Sequence, residues 1–181
     1  MKKFIFLIGC IVRVCASPLY AQSGEDGSYV KLRIQKMNTK EAASKYTYSA
    51  ASGASISLVQ NPDGHYADFS FASDFPKHDG QSIWIQGICR ITPPGTGKYL
   101  LRPYQGEDPP KMAEMSINID NNIFPGDRKK GTSGAMTISL YPTAGGYMYG
   151  TFDAVLNDSE DEDKVGNLYK VSGEFKILRT Q

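Results

Sequence analysis

Residues 131–178 read GTSGAMTISLYPTAGGYMYGTFDAVLNDSEDEDKVGNLYKVSGEFKIL, and this stretch decides the fold class. Side chains on a strand point alternately to its two faces. On that period Ala135–Tyr141 sets Met136, Ile138 and Leu140 against Thr137, Ser139 and Tyr141. Tyr147–Leu156 turns Met148, Gly150, Phe152, Ala154 and Leu156 inward and leaves Tyr147, Tyr149, Thr151, Asp153 and Val155 outside. Tyr169–Ile177 repeats the pattern, with Val171, Gly173, Phe175 and Ile177 inward beside Tyr169 and Lys170, Ser172, Glu174 and Lys176 outward. One apolar face and one wet face mark an antiparallel sheet.

The connections agree with that reading. Pro142–Gly146 is short and rich in turn formers, as a hairpin needs. Asn157–Asn167 is longer and strongly acidic, so it belongs in solvent. Met148-x-Gly150-x-Phe152 and Val171-x-Gly173-x-Phe175 echo one another. A glycine inside a strand marks a bulge, a bend or a close approach. Two of them on the inward face, each two residues before a phenylalanine, predict space left for an aromatic ring from a neighbour.

Outward from this stretch the chain keeps the same rhythm. Strands are predicted over 29–37, 54–60, 66–75, 81–91 and 112–120, and one beginning at Lys98. Asn61-Pro62-Asp63-Gly64 reads as a turn and Thr92–Gly97 as a loop. Residues 38–51 are ambiguous: Thr39–Lys45 suits one or two helical turns. Residues 121–134 read as a long polar loop. Eight or nine short strands at hairpin spacing predict one all-β domain over 22–181, an antiparallel β-sandwich or β-barrel. A chain of 181 residues with 40% hydrophobic content, 18 glycines and 10 prolines suits it.

Residues 1–21 stand apart. Met1-Lys2-Lys3, a mostly apolar run from Phe4 to Ala16 and the small residue Ala21 have the layout of a secretory signal. The apolar run is shorter than the roughly 20 residues a spanning helix needs. Leu7-Ile8-Gly9-Cys10 has the look of a lipidation box, placed too near the start for a full apolar run ahead of it. Export to the periplasm or the medium is therefore expected. Cleavage would remove Lys2, Lys3 and Arg13, leaving 17 basic and 19 acidic residues. No run of basic residues points to nucleic acid. Cys89 would remain as the one cysteine, which excludes an internal disulfide and a cysteine metal site.

No cofactor or metal motif emerges. Gly95-x-Gly97-Lys98 lacks the spacing of a phosphate loop. His65 and His78 are the only histidines, and both fall in loops. Either could join Asp74, Asp79 and a serine in a hydrolytic set, but no nucleophile elbow is present. Asn157–Asp163 offers oxygens for calcium without the glycine and closing glutamate of an EF-hand loop. The sharpest candidate is aromatic. A hairpin closing at 142–146 puts Tyr141 opposite Tyr147 with Tyr149 beside them, and Trp84 could extend the surface. Flat exposed rings suit a glycan or a protein partner, whereas a covered face would make them packing residues.

Gly150-Thr151-Phe152 together with Tyr169-Lys170-Val171-Ser172-Gly173-Glu174-Phe175-Lys176-Ile177 resembles the ending of uncharacterised small secreted bacterial β-proteins. The likeness covers the last third of the chain and implies no activity. The expected role is non-enzymatic binding of an envelope protein or glycan; a structural part of an envelope assembly and a hydrolase are the alternatives.

Overall fold

The computed structural model describes residues 27–76, 80–120, 122–126 and 128–180. The expected leader at 1–21, together with His78 and Asp79, lies outside them. The three C-terminal strands form as their alternation predicts: β9 (Ser133–Leu140), β10 (Tyr147–Asn157) and β11 (Leu168–Leu178). They pair as antiparallel neighbours in that order.

β1 (Tyr29–Lys36) adds to β11, and β2 (Ser44–Ser49) to β1. The opposite half is built from β3 (Ser55–Gln60), β4 (Ala67–Pro76), β5 (Ser82–Thr92) and β7 (Met112–Ile119). β6 (Gly97–Leu101) joins the halves, running antiparallel to β9 and parallel to β7. β8 (Asn122–Pro125) takes the stretch of β7 that β6 leaves. The order around the sheet is β2-β1-β11-β10-β9-β6-β7-β5-β4-β3.

This single sheet curls until its ends meet. Phe69 on β4 lies 4.9 Å from Phe175 on β11, ring to ring, across the interior. Between β2 and β3 the closure is made by side chains. Tyr46 and Tyr48 of β2 pack on Phe71 and Phe75 of β4, with centroids 4.7–5.0 Å apart. Thr180 Oγ1 donates to the Leu58 carbonyl of β3 at 3.5 Å. One chain crosses from one sheet edge to the other here. It pairs with β1 as β2, turns through a short 3₁₀ segment at Ala50–Ser52, and pairs with β4 as β3. Gly53 at φ +84° makes the turn, a conformation most side chains resist.

Glycines set how tightly the sheet can curl. Gly150 faces Phe175 in register and Gly173 faces Phe152. A Cβ on Gly150 would sit 2.4 Å from the Phe175 ring, and one on Gly173 would sit 2.4 Å from the Phe152 ring. The predicted space for a neighbour's ring is therefore real and reciprocal. Gly87 on β5 repeats the device under Phe71, at 2.1 Å. Each ring lies across the adjacent strand's backbone, which lets Phe71, Phe152 and Phe175 be buried in a narrow interior. Full burial of such a ring contributes about 1.5–3 kcal/mol.

Three expectations are corrected. Residues 39–45 form no helical turn: Ser44 and Lys45 already belong to β2, held by β1. The polar loop 121–134 contains β8, whose Phe124 fills the space beside Tyr169, ring centroids 4.8 Å apart. Leu140 points outward and is 49% exposed. The cause is a register shift: Leu140 pairs with Tyr149, but Ile138 pairs with Gly150, so Ser139 is extra.

Candidate functional site

The same bulge divides the predicted tyrosine cluster. By throwing Leu140 out, it turns Tyr141 in, where the ring packs against the core. The Tyr141 hydroxyl donates to Gln60 Oε1 on β3 at 3.1 Å, and the Arg179 guanidinium lies 5.2 Å from the ring. Burial pushes the phenol's pKa up, against the opposing pull of Arg179. Tyr141 is thus part of the seam rather than of an open face.

Tyr147 and Tyr149 do stay together on the outer face of β10, with centroids 6.5 Å apart. Lys176 Nζ lies 4.1 Å over the Tyr147 ring. Trp84 belongs elsewhere. It sits half-buried on the outer face of β5, its backbone N–H donating to Asp120 Oδ1 at 2.9 Å. β5 is four strands around from β10, and Trp84 lies at the opposite end of the strand lanes from Tyr149.

Of the hydrolytic candidates, His65 and Asp74 stand apart, and His78 and Asp79 lie outside the described residues. His65 is exposed in the turn before β4, while Asp74 sits seven residues along that strand from Ala67, about 23 Å at the usual strand rise. The acidic loop is committed to its own backbone. Buried Asn157 donates to the Lys130 and Lys164 carbonyls and accepts from the N–H groups of Ser159 and Gly166. Asp158 holds Asn167, and Asp161 accepts from the Asp163 N–H and pairs with Lys164 at 2.9 Å. The Lys164 contact is the main reason the Asp161 carboxyl is held below its ordinary pKa. Among the described residues no three His, Cys, Asp or Glu side chains stand together as metal ligands.

A concave site lies on the outer face of β3, β4, β5 and β7, a trough of about 490 Å³. Register builds it row by row. Val59, Asp68, Arg90 and Glu114 stand abreast on the four strands. The next row is Ser57, Ser70, Ile88 and Ser116, and the one after it holds Ala72, Gln86 and Asn118. Ser57, Ser70 and Ser116 leave a floor low enough to form a trough between taller neighbours. Ile88, 47% exposed, and Val59, 43% exposed, are its apolar points.

Its charged wall is fixed by pairing. Arg90 donates twice to Asp68, at 2.7 and 2.9 Å, and its guanidinium lies 4.1 Å over the Tyr66 ring. Arg102 meets Glu114 at 2.7 Å and Asp108 at 3.1 Å. Signs therefore alternate from Asp68 through Arg90, Glu114 and Arg102 to Asp108, and the wall carries little net charge. On the floor Ser57 and Ser70 share a hydrogen bond of 2.9 Å. Asn118 Oδ1, in the row beside Gln86, is buried with no hydrogen-bond partner among the described residues. Rigid donors and acceptors around exposed aliphatic carbon suit a neutral, hydroxyl-bearing ligand. No family model, curated protein or solved structure matches this chain.

Sequence reasoning missed this trough. Ser57, Ser70, Ile88 and Ser116 are spread over 60 residues and share no motif. Its one trace in the sequence is Ile88, an apolar residue that alternation puts on the same face as Gln86 and Arg90.

Proposed function

We propose that this chain is an exported, non-enzymatic binding protein whose trough across β3, β4, β5 and β7 takes a neutral oligosaccharide. The observation that carries the reading is the concave row of Ser57, Ser70, Ile88 and Ser116 beneath a charge-compensated wall. Sugar hydroxyls are both donors and acceptors. Arg90, Glu114 and Gln86 present both kinds of partner, and the prior pairing of Arg90 with Asp68 holds it in place before a ligand arrives. Ile88 offers the C–H faces of a sugar ring an apolar contact. Trp84, two outward positions along β5 from Ile88, stands where a longer chain could reach an aromatic platform.

The test is affinity electrophoresis of residues 22–181 through gels containing neutral polysaccharides, including starch, xylan, glucomannan and dextran. At least one should retard the protein. Ile88→Asp should weaken that retardation at least tenfold while leaving the melting temperature unchanged, because the residue is exposed. Retardation by none of the polymers, or retardation indifferent to Ile88→Asp, would overturn the reading. The envelope-assembly alternative needs an open, self-complementary strand edge. β2 and β3 end the sheet without pairing each other, and side-chain contacts such as Tyr48 on Phe71 and Thr180 on the Leu58 carbonyl close the gap between them.

A further inference from the structure

We propose that the outer face of β10, β11, β1 and β2 is a second binding surface, for acidic polysaccharide chains. It is independent of the trough. Residues far apart in the sequence are brought abreast by register. Tyr29, Lys176 and Tyr149 form one cross-strand row. Lys31 and Glu174 stand in the next, and Lys45, Arg33, Ser172 and Asp153 in the one after. Lys170 follows, beside Gln35. Val30, Leu32, Phe175 and Ile177 are buried at the alternate positions, so all these side chains face out.

The face carries five cations, Lys31, Arg33, Lys45, Lys170 and Lys176, against two carboxylates, Glu174 and Asp153. Both carboxylates are taken, Glu174 by Lys31 at 2.7 Å and Asp153 by Lys170 at 3.4 Å. Arg33 and Lys45 stand side by side with no ion pair among the described residues. A chain that is acidic once its leader is removed therefore keeps a cationic face. Compensating acids lie in the loop Asn157–Asp163 and beside Arg102.

Charge complementarity selects a polyanion, and the shape of the surface selects its kind. Cations spaced about 5 Å across strands and 7 Å along them form a broad sheet surface rather than a groove. That suits a long flexible polymer with an anionic group on each repeat. Tyr149 adds a ring for sugar C–H faces. A single-stranded nucleic acid would need several open ring faces in succession. Lys176 already covers the face of Tyr147.

The test uses residues 22–181 with polygalacturonate, heparin, neutral dextran and poly-dT as probes, measured by affinity capillary electrophoresis. Two charge-matched variants are compared: Arg33→Gln with Lys45→Gln on the face, and Arg128→Gln with Lys164→Gln off it. The wild type should bind at least one polyanionic sugar and should lose about tenfold in affinity between 50 and 200 mM salt, as counterion release requires. The on-face pair should cost at least tenfold and the off-face pair less than twofold. Equal loss in both variants, no binding of either acidic sugar at 50 mM salt, or equal affinity for poly-dT would overturn the proposal. Ile88→Asp should leave this binding intact, which separates its fate from that of the trough.

Discussion

In the half of the sheet made by β10, β11, β1 and β2, Phe152 and Phe175 lie over Gly173 and Gly150; in the half made by β3, β4, β5 and β7, Phe71 lies over Gly87. Inside, the two halves use the same device. Outside, they differ in both shape and charge. The first presents a broad row-by-row array of lysine, arginine and tyrosine. The second presents serines beneath ion pairs of alternating sign. The interior answers to packing, which constrains each position through its neighbours. The outer positions have no such neighbours, so two surfaces with different chemistry can share one core.

The comparison breaks first if the shared interior is not shared. Gly173→Ala and Gly87→Ala should each destabilise by about 3 kcal/mol, since either methyl group meets a ring that cannot retreat. Gly173→Ala also meets the Lys31 carbonyl oxygen at 2.2 Å, so it should be the worse. Urea unfolding would measure both. A cost under about 1 kcal/mol for Gly87→Ala would show that the β3–β7 half is loosely packed.

Alkaline pH probes the same interior. Cys89 is fully buried in β5, and burial pushes its thiol pKa well above the ordinary value of 9.0. The folded protein therefore keeps this proton while the unfolded chain loses it. Stability is complete below about pH 9 and falls as the pH rises beyond it, by about 1.4 kcal/mol per unit for this one group. Cys89→Ala should flatten that part of the profile, measured as melting temperature against pH. An unchanged slope would mean that the thiol is solvated.

Smaller effects distinguish two buried tyrosines. The Tyr99 hydroxyl, on β6, sits 2.9 Å from the Pro93 carbonyl and 2.8 Å from that of Gly95. Tyr48, in the seam, buries its hydroxyl without a hydrogen-bond partner among the described residues. Tyr99→Phe should cost about 1 kcal/mol, and Tyr48→Phe should be neutral or stabilise by about 1 kcal/mol. A loss at Tyr48 equal to that at Tyr99 would reveal a partner for its hydroxyl. Smallest of all is the exposed Lys31–Glu174 pair. Glu174→Gln should leave the urea unfolding midpoint where it is, yet should strengthen polyanion binding by freeing a cation.

Strands whose two faces differ in polarity are legible in the sequence. β10 and β11 follow their alternation nearly residue for residue, and their glycines announce the rings that cover them. β2 and β8 are not legible in this way. Ser44–Ser49 is mostly polar and Asn122–Pro125 is only four residues long, and each is a strand because a neighbour supplies its hydrogen bonds. Tyr141 escapes for a related reason: one extra residue in β9 reverses every side chain beyond it.

By itself the sequence determined the all-β class, the inward faces of the long strands and the ring-over-glycine packing. These follow from period-two alternation, which is local. Only the tertiary structure decided that the sheet curls into a nearly closed barrel, that Tyr141 and Trp84 leave Tyr147 and Tyr149, and which outer residues stand abreast. Register joins residues a hundred or more positions apart, such as Lys31 with Glu174, and no local pattern encodes that pairing. Both proposed binding surfaces are products of register, so neither could be read along the chain.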